Sequence, residues 1–408
     1  MNREALVVGV SATPFGRHLD RSAGDLAGRA AHEALRDAGL VPADVGAVFH
    51  ATVSQKAIDG QHMIPGQVAL RPHGFAGVPV VNVENACAGG ATALWLAIAH
   101  VRAGLSDVAL AVGVDKLVSA DPARGLAVFD GAMDVAHREE TLAALAALTD
   151  PLPPELLVDG DRSVFMEIYA SLARAHMQRF GTTEAHLAAV SAKNHAHSVH
   201  NPRAHYRRAF TAEEILAARR VAWPLTVPMC SPVSDGAAAV VVVRADFTRD
   251  ESAVAVLSSV LLSGTDRSAD DAGQHIGRRA ALAAYERAGI GPQDVDAAEV
   301  HDATAFGEIQ QVENLGFCPI GDGGPWSASG AGALGGTIAV NPSGGLESRG
   351  HPVSATGLAQ IYELVTQLRG RAGARQVSDA RIAVAENGGG LYGIEEAVAA
   401  VTVLGRNR

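Results

Sequence analysis

The 408-residue sequence predicts an α/β protein built from two duplicated α/β halves, with a mainly helical loop domain inserted in the first. Three observations carry that expectation. Strand-like and helix-like runs alternate at the spacing of right-handed crossovers. The stretches 34–48 (ALRDAGLVPADVGAV) and 284–298 (AYERAGIGPQDVDAA) share Ala-Gly-aliphatic-x-Pro-x-Asp-Val in one register, a repeat too long in period for a solenoid. Between the two regions the grammar changes to polar helices and a proline-rich turn. The chain also exceeds the roughly 250–300 residues at which a single core stops growing. The expected boundaries are 1–118 plus 225–250 for the first half, 119–224 for the insertion and 251–408 for the second half.

In chain order, the pattern predicts a strand over 4–11, a helix over 23–38 closed by Gly39, and a strand over 45–53. Residues 78–83 (VPVVNV) are short, β-branched and bounded by turn residues, as a buried strand should be. Residues 89–100 (GGATALWLAIAH) are apolar nearly all round with no breaker beyond the opening glycines, which predicts a helix at the centre of the molecule. A strand over 107–114 completes the unit. The insertion carries Asp150-Pro151-Leu152-Pro153-Pro154 and seven of the sixteen histidines. The strand signal returns at 235–243, and the second unit starts at 252, with a helix over 352–368 and a strand over 380–385.

Composition narrows the function. An apolar fraction of 48% against 19% charged residues supplies a core, and 4% aromatic residues make its packing aliphatic. A net charge of −11 argues against nucleic acid or an anionic membrane as bulk partner. Three cysteines, Cys87, Cys230 and Cys318, are too few and too scattered for a disulfide framework or a zinc site. The opening residues MNREALVVGV lack a signal-type apolar core, and no apolar run reaches the roughly 18 residues of a membrane span. The expected setting is the reducing cytoplasm. His195, His197, His200 and His205 lack the spacing of a metal motif and read as solvated residues of the insertion.

Val83-Glu84-Asn85-Ala86-Cys87-Ala88-Gly89-Gly90 joins the strand to the central helix with one thiol at the junction. A thiol at a helix N-terminus sits at the positive end of the macrodipole, which lowers its pKa, and its backbone N–H is free to hold an oxyanion. A buried structural cysteine is an equal alternative on this motif alone. His301-Asp302 ends a strand, where α/β folds place ligands, or else forms an Asx-type turn. His351 is pinned between Gly350 and Pro352 ahead of a helix, which presents its imidazole as a base requires. Glu386 ends an apolar strand ahead of Gly388-Gly389-Gly390, either as a solvated strand end or as a general base.

These blocks together resemble the thiolase superfamily over the whole chain, nearest its sterol-carrier-protein-type branch. The matching pieces are Asn85-Ala86-Cys87-Ala88-Gly89-Gly90, Lys193-Asn194-His195 with Asn201-Pro202, Ser231 to Ala238, His301-Asp302, Gly316-Phe317-Cys318-Pro319, Gly350-His351-Pro352 with Ala355-Thr356-Gly357, and Gly388-Gly389-Gly390. The resemblance implies a layered α-β-α-β-α fold and an acyl-CoA C-acyltransferase that forms or cleaves a β-ketoacyl-CoA. Cys87 would be acylated by a coenzyme A thioester and His351 would take its proton. The backbone amides of Cys87 and Gly388 would form one oxyanion hole, and His301 with His351 a second. Ser231 matches the serine that contacts the pantetheine arm, and Arg203, Arg207 and Arg208 are candidates for the coenzyme A phosphates. No permanently bound cofactor or metal is expected, and the coenzyme A thioester is the substrate. A homodimer or tetramer is implied, and some relatives work with a small OB-fold and zinc-ribbon partner protein.

Two departures bear on mechanism. The family's second cysteine, two residues before the glycine run, is replaced by Glu386, which is expected to shuttle the α-proton in its place. His301-Asp302-Ala303-Thr304 lacks the aromatic residue common after the polar pair, and Ser354 replaces a common glycine. The alternatives are a non-thiolytic relative, either a carbon acyltransferase or a retro-aldolase, or a non-catalytic subunit of a thiolase-type complex.

Overall fold

A computed structural model describes residues 4–158 and 162–407. Among these, the strands in chain order are β1 (Ala5–Ala12), β2 (Ala47–Ala51), β3 (Val80–Val83), β4 (Val108–Asp115), β5 (Arg220–Ala222), β6 (Leu225–Thr226), β7 (Gly236–Arg244), β8 (Val254–Ser263), β9 (Ala297–Glu299), β10 (Ala339–Val340), β11 (Ile382–Gly389) and β12 (Val398–Arg406). Strands β5 and β6 form a separate hairpin, and the rest align as β10-β9-β11-β12-β8-β1-β7-β4-β2-β3.

That order is a duplication. Within the first half it runs β3-β2-β4-β7-β1 and within the second β10-β9-β11-β12-β8, so equivalent strands hold equivalent places. The halves meet where β1 lies antiparallel to β8 over only two residue pairs, Leu6 with Ala255 and Val7 with Val254. The repeated Pro-x-Asp signature has the same local cause in both. Asp44 accepts the N–H of Val41 at 2.8 Å and Asp294 accepts that of Gly291 at 2.8 Å, each closing a single 3-10 turn ahead of a strand.

Burial on both faces explains why the strands read as continuous apolar runs rather than alternating ones. The helix Gly89–Arg102 and its counterpart Thr356–Leu368 pack on each other between the inner faces of the two halves. Leu94, Ile98, Leu358, Ile361 and Leu364 share that core with Val7, Phe49, Val240, Val256 and Ala385. The helix Ala23–Asp37 covers the outer face of the first half through Leu26, Ala30 and Ala34. Ile276–Ala288 covers the second through Ala280, Ala284 and Tyr285. Five layers result, α-β-α-β-α. The insertion's long helices, Val164–Phe180 and Glu184–Ser198, pack Tyr169, Leu187 and Val190 against Phe306, Ile309 and Leu346 of the second half.

One strand differs from expectation. Residues 78–83 were expected to be buried, yet β3 is the sheet's edge, paired only with β2 and with Val81 45% exposed. A short β-branched run fits an edge as well as a centre, so sequence alone does not separate the two. The histidines of the insertion differ as well. His195 and His197 are buried rather than solvated, bonded to Pro228 O and Ser348 Oγ and to Asn341 O, while His200 is exposed and His205 meets Ser234 Oγ at 2.8 Å. Among the described residues no helix is long and apolar enough to cross a membrane.

Candidate active site

The residues singled out as nucleophile and base converge where the halves meet. Cys87 lies in a single 3-10 turn, Ala86–Ala88, that feeds the central helix, and Ala86 ahead of it holds a left-handed φ of 47°. The N–H of Ala86 is tied back to Glu84 Oε1 at 2.8 Å. From the second half, Gly350 at φ 104° turns the chain to present His351; a Cβ there would also lie 2.7 Å from Ser234 Oγ, so the position requires glycine. The Cys87 sulfur, a ring nitrogen of His351 and a ring nitrogen of His301 all lie within 4.8 Å of one another. The two imidazoles meet edge to face, ring centres 5.3 Å apart. One thiol and two imidazoles at that spacing are also a donor set a metal ion could use.

Hydrogen bonding sets the role of His351. Thr356 Oγ1 donates its only proton to Pro352 O at 3.1 Å and therefore accepts from His351 Nδ1–H at 2.7 Å. Nε2 is left with its lone pair free. Burial, then His301 and Arg349, hold the imidazole well below the usual histidine range, and burial takes His301 down to about 4. Both rings are neutral at pH 7. The thiol departs from expectation. Burial pushes Cys87 up to about 12, reinforced by Asp115 and Glu84 and opposed by hydrogen bonds from the Gly390 N–H and its own. Cys87 keeps an opening on the cavity side. The resting pair is thus thiol and neutral imidazole.

Behind the imidazoles sits a buried polar cluster. Asp302 accepts the N–H of Leu346 at 2.8 Å, at the start of the short helix that leads to His351, and Asn194 donates to Asp302, Glu308 and Glu347. Arg349 meets Glu299 at 2.8 Å and Lys193 meets Glu308 at 3.1 Å. Burial first, and the mutual repulsion of these carboxylates second, hold Asp302 and Glu347 well above the usual range, so they retain protons that the cluster shares. His301 and His351 are positioned through this network, which explains the Lys-Asn-His and His-Asp motifs.

The three groups open on a cavity of about 490 Å³ whose wall includes Ser231, Tyr169, Met166, Gly389 and Gly390. Several expected residues are elsewhere. Gly388 pairs with Ala399 inside the β11–β12 ladder and is off the wall; the amide beside the sulfur is that of Gly390. The ladder takes Gly388 because β11 runs to Gly389, four residues beyond the expected strand end at 385. Arg203 stacks on Tyr362 and donates to its hydroxyl and to Ala12 O, and Arg208 lies over Phe210 and pairs with Glu214. Arg207 is exposed and, like those two, does not line the cavity. The cations on the wall are Lys56, Arg162 and Arg219, which no motif marked.

Glu386 is fully buried and also off the wall, its Oε2 accepting the backbone N–H of His301 at 3.0 Å. Burial, then the charge of Glu396, push its carboxyl up to about 8, so it is neutral at pH 7. Two further wall residues were missed from sequence, Glu396 and Cys230. The Cys230 thiol donates to Thr226 O at 3.5 Å, and burial raises its pKa. Glu395-Glu396 begins five residues after the glycine run, a paired acid in a turn that sequence treats as solvated.

Comparison with known proteins agrees with this geometry. A family model described as the thiolase N-terminal domain matches residues 5–216, and one described as thiolase C-terminal domain-like matches residues 264–406. Acetyl-CoA acetyltransferase of Methanothermobacter thermautotrophicus is 37% identical over 96% of this chain and 97% of its own. Sterol carrier protein 2 of Gallus gallus is 35% identical over 95% of this chain and 70% of its own. A solved structure described as the Ltp2-ChsH2(DUF35) aldolase superposes with a TM-score of 0.78 at 23% identity, over 100% of this chain and 99% of that chain, a likeness of fold alone. The Cys87 turn, paired imidazoles and duplicated sheet order thus coincide with family matches across both halves: the chain belongs to the thiolase family and is an acyltransferase of thiolase type.

Proposed function

We propose that the protein makes or cleaves a β-ketoacyl-CoA through an acyl group carried on Cys87. The observation that supports this best is the approach of the Cys87 sulfur and the two imidazole nitrogens within 4.8 Å on one cavity wall. His351 Nε2 takes the thiol proton as the sulfur attacks the acyl carbonyl, and the oxyanion meets the amides of Cys87 and Gly390. Polarised N–H donors aimed at a developing charge are worth roughly 10²–10³ in rate each. In the second step His301 and His351 flank the thioester oxygen of the partner acyl-CoA. Glu386 acts through His301, whose backbone it holds.

Ser231, which lines the wall, is the candidate to meet a pantetheine arm, and Lys56, Arg162 and Arg219 replace the three arginines as candidates for the phosphates. The exposed edge β3, with Val81 45% and nearby Met63 77% exposed, suits pairing with a second copy. The solved relative that carries a DUF35 partner in its description motivates a search for a partner protein here too. A retro-aldolase or a non-catalytic subunit differs from this reading at one point, since neither passes through acylated Cys87. Incubation with a β-ketoacyl-CoA and free coenzyme A should yield two acyl-CoAs by chromatography, and none with Cys87→Ala. Cleavage that needs no added coenzyme A and persists in Cys87→Ala would show the retro-aldol route instead.

A further inference from the structure

We propose that Glu396 is the catalytic acid/base group that faces the substrate's α-carbon, filling the role of the family's second cysteine, and that His275 is its positioning residue. The inference rests on the thiolase reading above and deepens it. Of the two adjacent acids, Glu395 is spent on structure: its oxygens accept the N–H groups of Thr265 and Ile276 and the Arg267 side chain. Glu396 instead reaches the cavity wall shared by Cys87, His301 and His351. The only other carboxylate on that wall among the described residues, Glu84, is exposed and tied to the N–H of Ala86.

Two side chains that do not line the cavity hold the carboxylate of Glu396. Gln311 donates to Oε1 at 3.0 Å, and His275 Nε2 lies 3.2 Å from Oε2. His275 caps the helix Ile276–Ala288 by accepting the Gly277 N–H at Nδ1, 3.1 Å away, and Asn314 Nδ2 also lies 3.0 Å from that nitrogen. With Nδ1 an acceptor, the proton sits on Nε2, 3.2 Å from Glu396 Oε2. Burial opposes the charged form of Glu396, but the attraction of His275 and its hydrogen bond outweigh it and hold the carboxyl below the usual range. The close approach is permitted by Gly388, where a Cβ would lie 2.8 Å from Glu396 Cγ. That contact gives the first glycine of the run a purpose other than an oxyanion hole.

The step balances within the site. In condensation the α C–H bond of the second acyl-CoA breaks, its proton passes to Glu396, and the electron pair forms an enolate whose oxygen faces His301 and His351. The α-carbon then bonds to the acyl carbon on Cys87, and the C–S bond breaks with its electron pair on sulfur. The proton on Glu396 returns to the Cys87 sulfur. Cleavage runs the same steps in reverse, with Glu396 protonating the α-carbon.

The experiment measures two half-reactions of the full-length protein, acylation of Cys87 by intact mass and exchange of the α-hydrogens of acetyl-CoA with deuterium oxide. Glu396→Gln should keep acylation within threefold of wild type and lose exchange by about 100-fold or more, the scale of a lost general base. Glu396→Asp should recover part of the exchange. The titratable groups facing Glu396 are His275 from its helix, Glu386 on β11, His301 after β9, and Tyr169 from the insertion. His275→Asn removes one of these, so the low-pH limb of the exchange profile should move to higher pH while acylation keeps its profile. Exchange within threefold in Glu396→Gln, parallel loss of acylation and exchange, or loss of exchange in Cys230→Ser or Glu386→Gln with Glu396→Gln intact each overturns the assignment. Absence of Cys87 acylation in the wild type would instead remove the thiolase reading itself, and is seen without any variant.

Discussion

Gly90 is where the fold and the chemistry depend on one missing methyl group. It lies three residues after Cys87 in the central helix, facing the segment three residues after His351. A Cβ at Gly90 would stand 2.3 Å from the backbone oxygen of Ser354, about 1 Å short of ordinary contact, and 3.2 Å from Leu358 Cγ. Helix propensity alone favours Gly90→Ala by roughly 0.5–1 kcal/mol. Overpacking against a fixed backbone costs about 1–3 kcal/mol, so the clash wins. Ser354 cannot yield easily, because its N–H is held by Asp115 Oδ2 at 2.6 Å while Oδ1 of the same residue accepts from Thr52, Val53 and Ser54. The helix must therefore move, carrying the sulfur away from His351. A misplacement of about 1 Å costs on the order of 100-fold in rate. The rate of Cys87 acylation, followed by intact mass alongside a urea titration, should fall about 100-fold in Gly90→Ala with a lowered midpoint. Acylation within threefold of wild type at an unchanged or raised midpoint would refute the reasoning.

Other perturbations test separate parts of the account. Glu386 keeps its proton in the folded state up to about pH 8 and loses it near 4.5 when unfolded, so the native state binds the extra proton between those values. Stability should fall as pH rises through that window, by a few kcal/mol at order of magnitude, and urea titrations of Glu386→Gln should show a flatter pH dependence. Arg349→Met strands a buried Glu299 and should cost about 3–5 kcal/mol, partly recovered by adding Glu299→Gln, as read from denaturation midpoints. Val81→Asp on the exposed edge β3 should abolish the proposed pairing of two copies, read as a fall from dimer to monomer mass relative to wild type by light scattering, and an unchanged mass would contradict a contact through β3.

Much of this was legible in the chain because the determinants are local. The Pro-x-Asp turns, the apolar central helix and the glycine-flanked His351 each write their cause within a few residues. The duplication then predicts where the two halves put their equivalent turns. What the sequence hid is set by long-range neighbours. Gly388 and Gly390 look interchangeable until the β11–β12 register decides which amide reaches the sulfur. Arg203, Arg207 and Arg208 read as a phosphate cluster, but Tyr362, Ala12 and Glu214 come from distant or unmarked positions. Glu396 carries no motif, and only the fold brings its turn beside His301. The helix-terminus argument for an acidic Cys87 failed for a related reason: burial and the distant Asp115, neither visible at that motif, together with Glu84 inside it, outweigh the few N–H donors.

The proposed chemistry depends on the sulfur of Cys87 carrying the acyl group. Peptide mapping after brief exposure to an acyl-CoA should locate a mass increase of one acyl group on Cys87, discharged by free coenzyme A and greatly slowed in His351→Ala. An unmodified Cys87 across a series of acyl-CoAs, or an adduct that maps to Cys230 or Cys318, would contradict it.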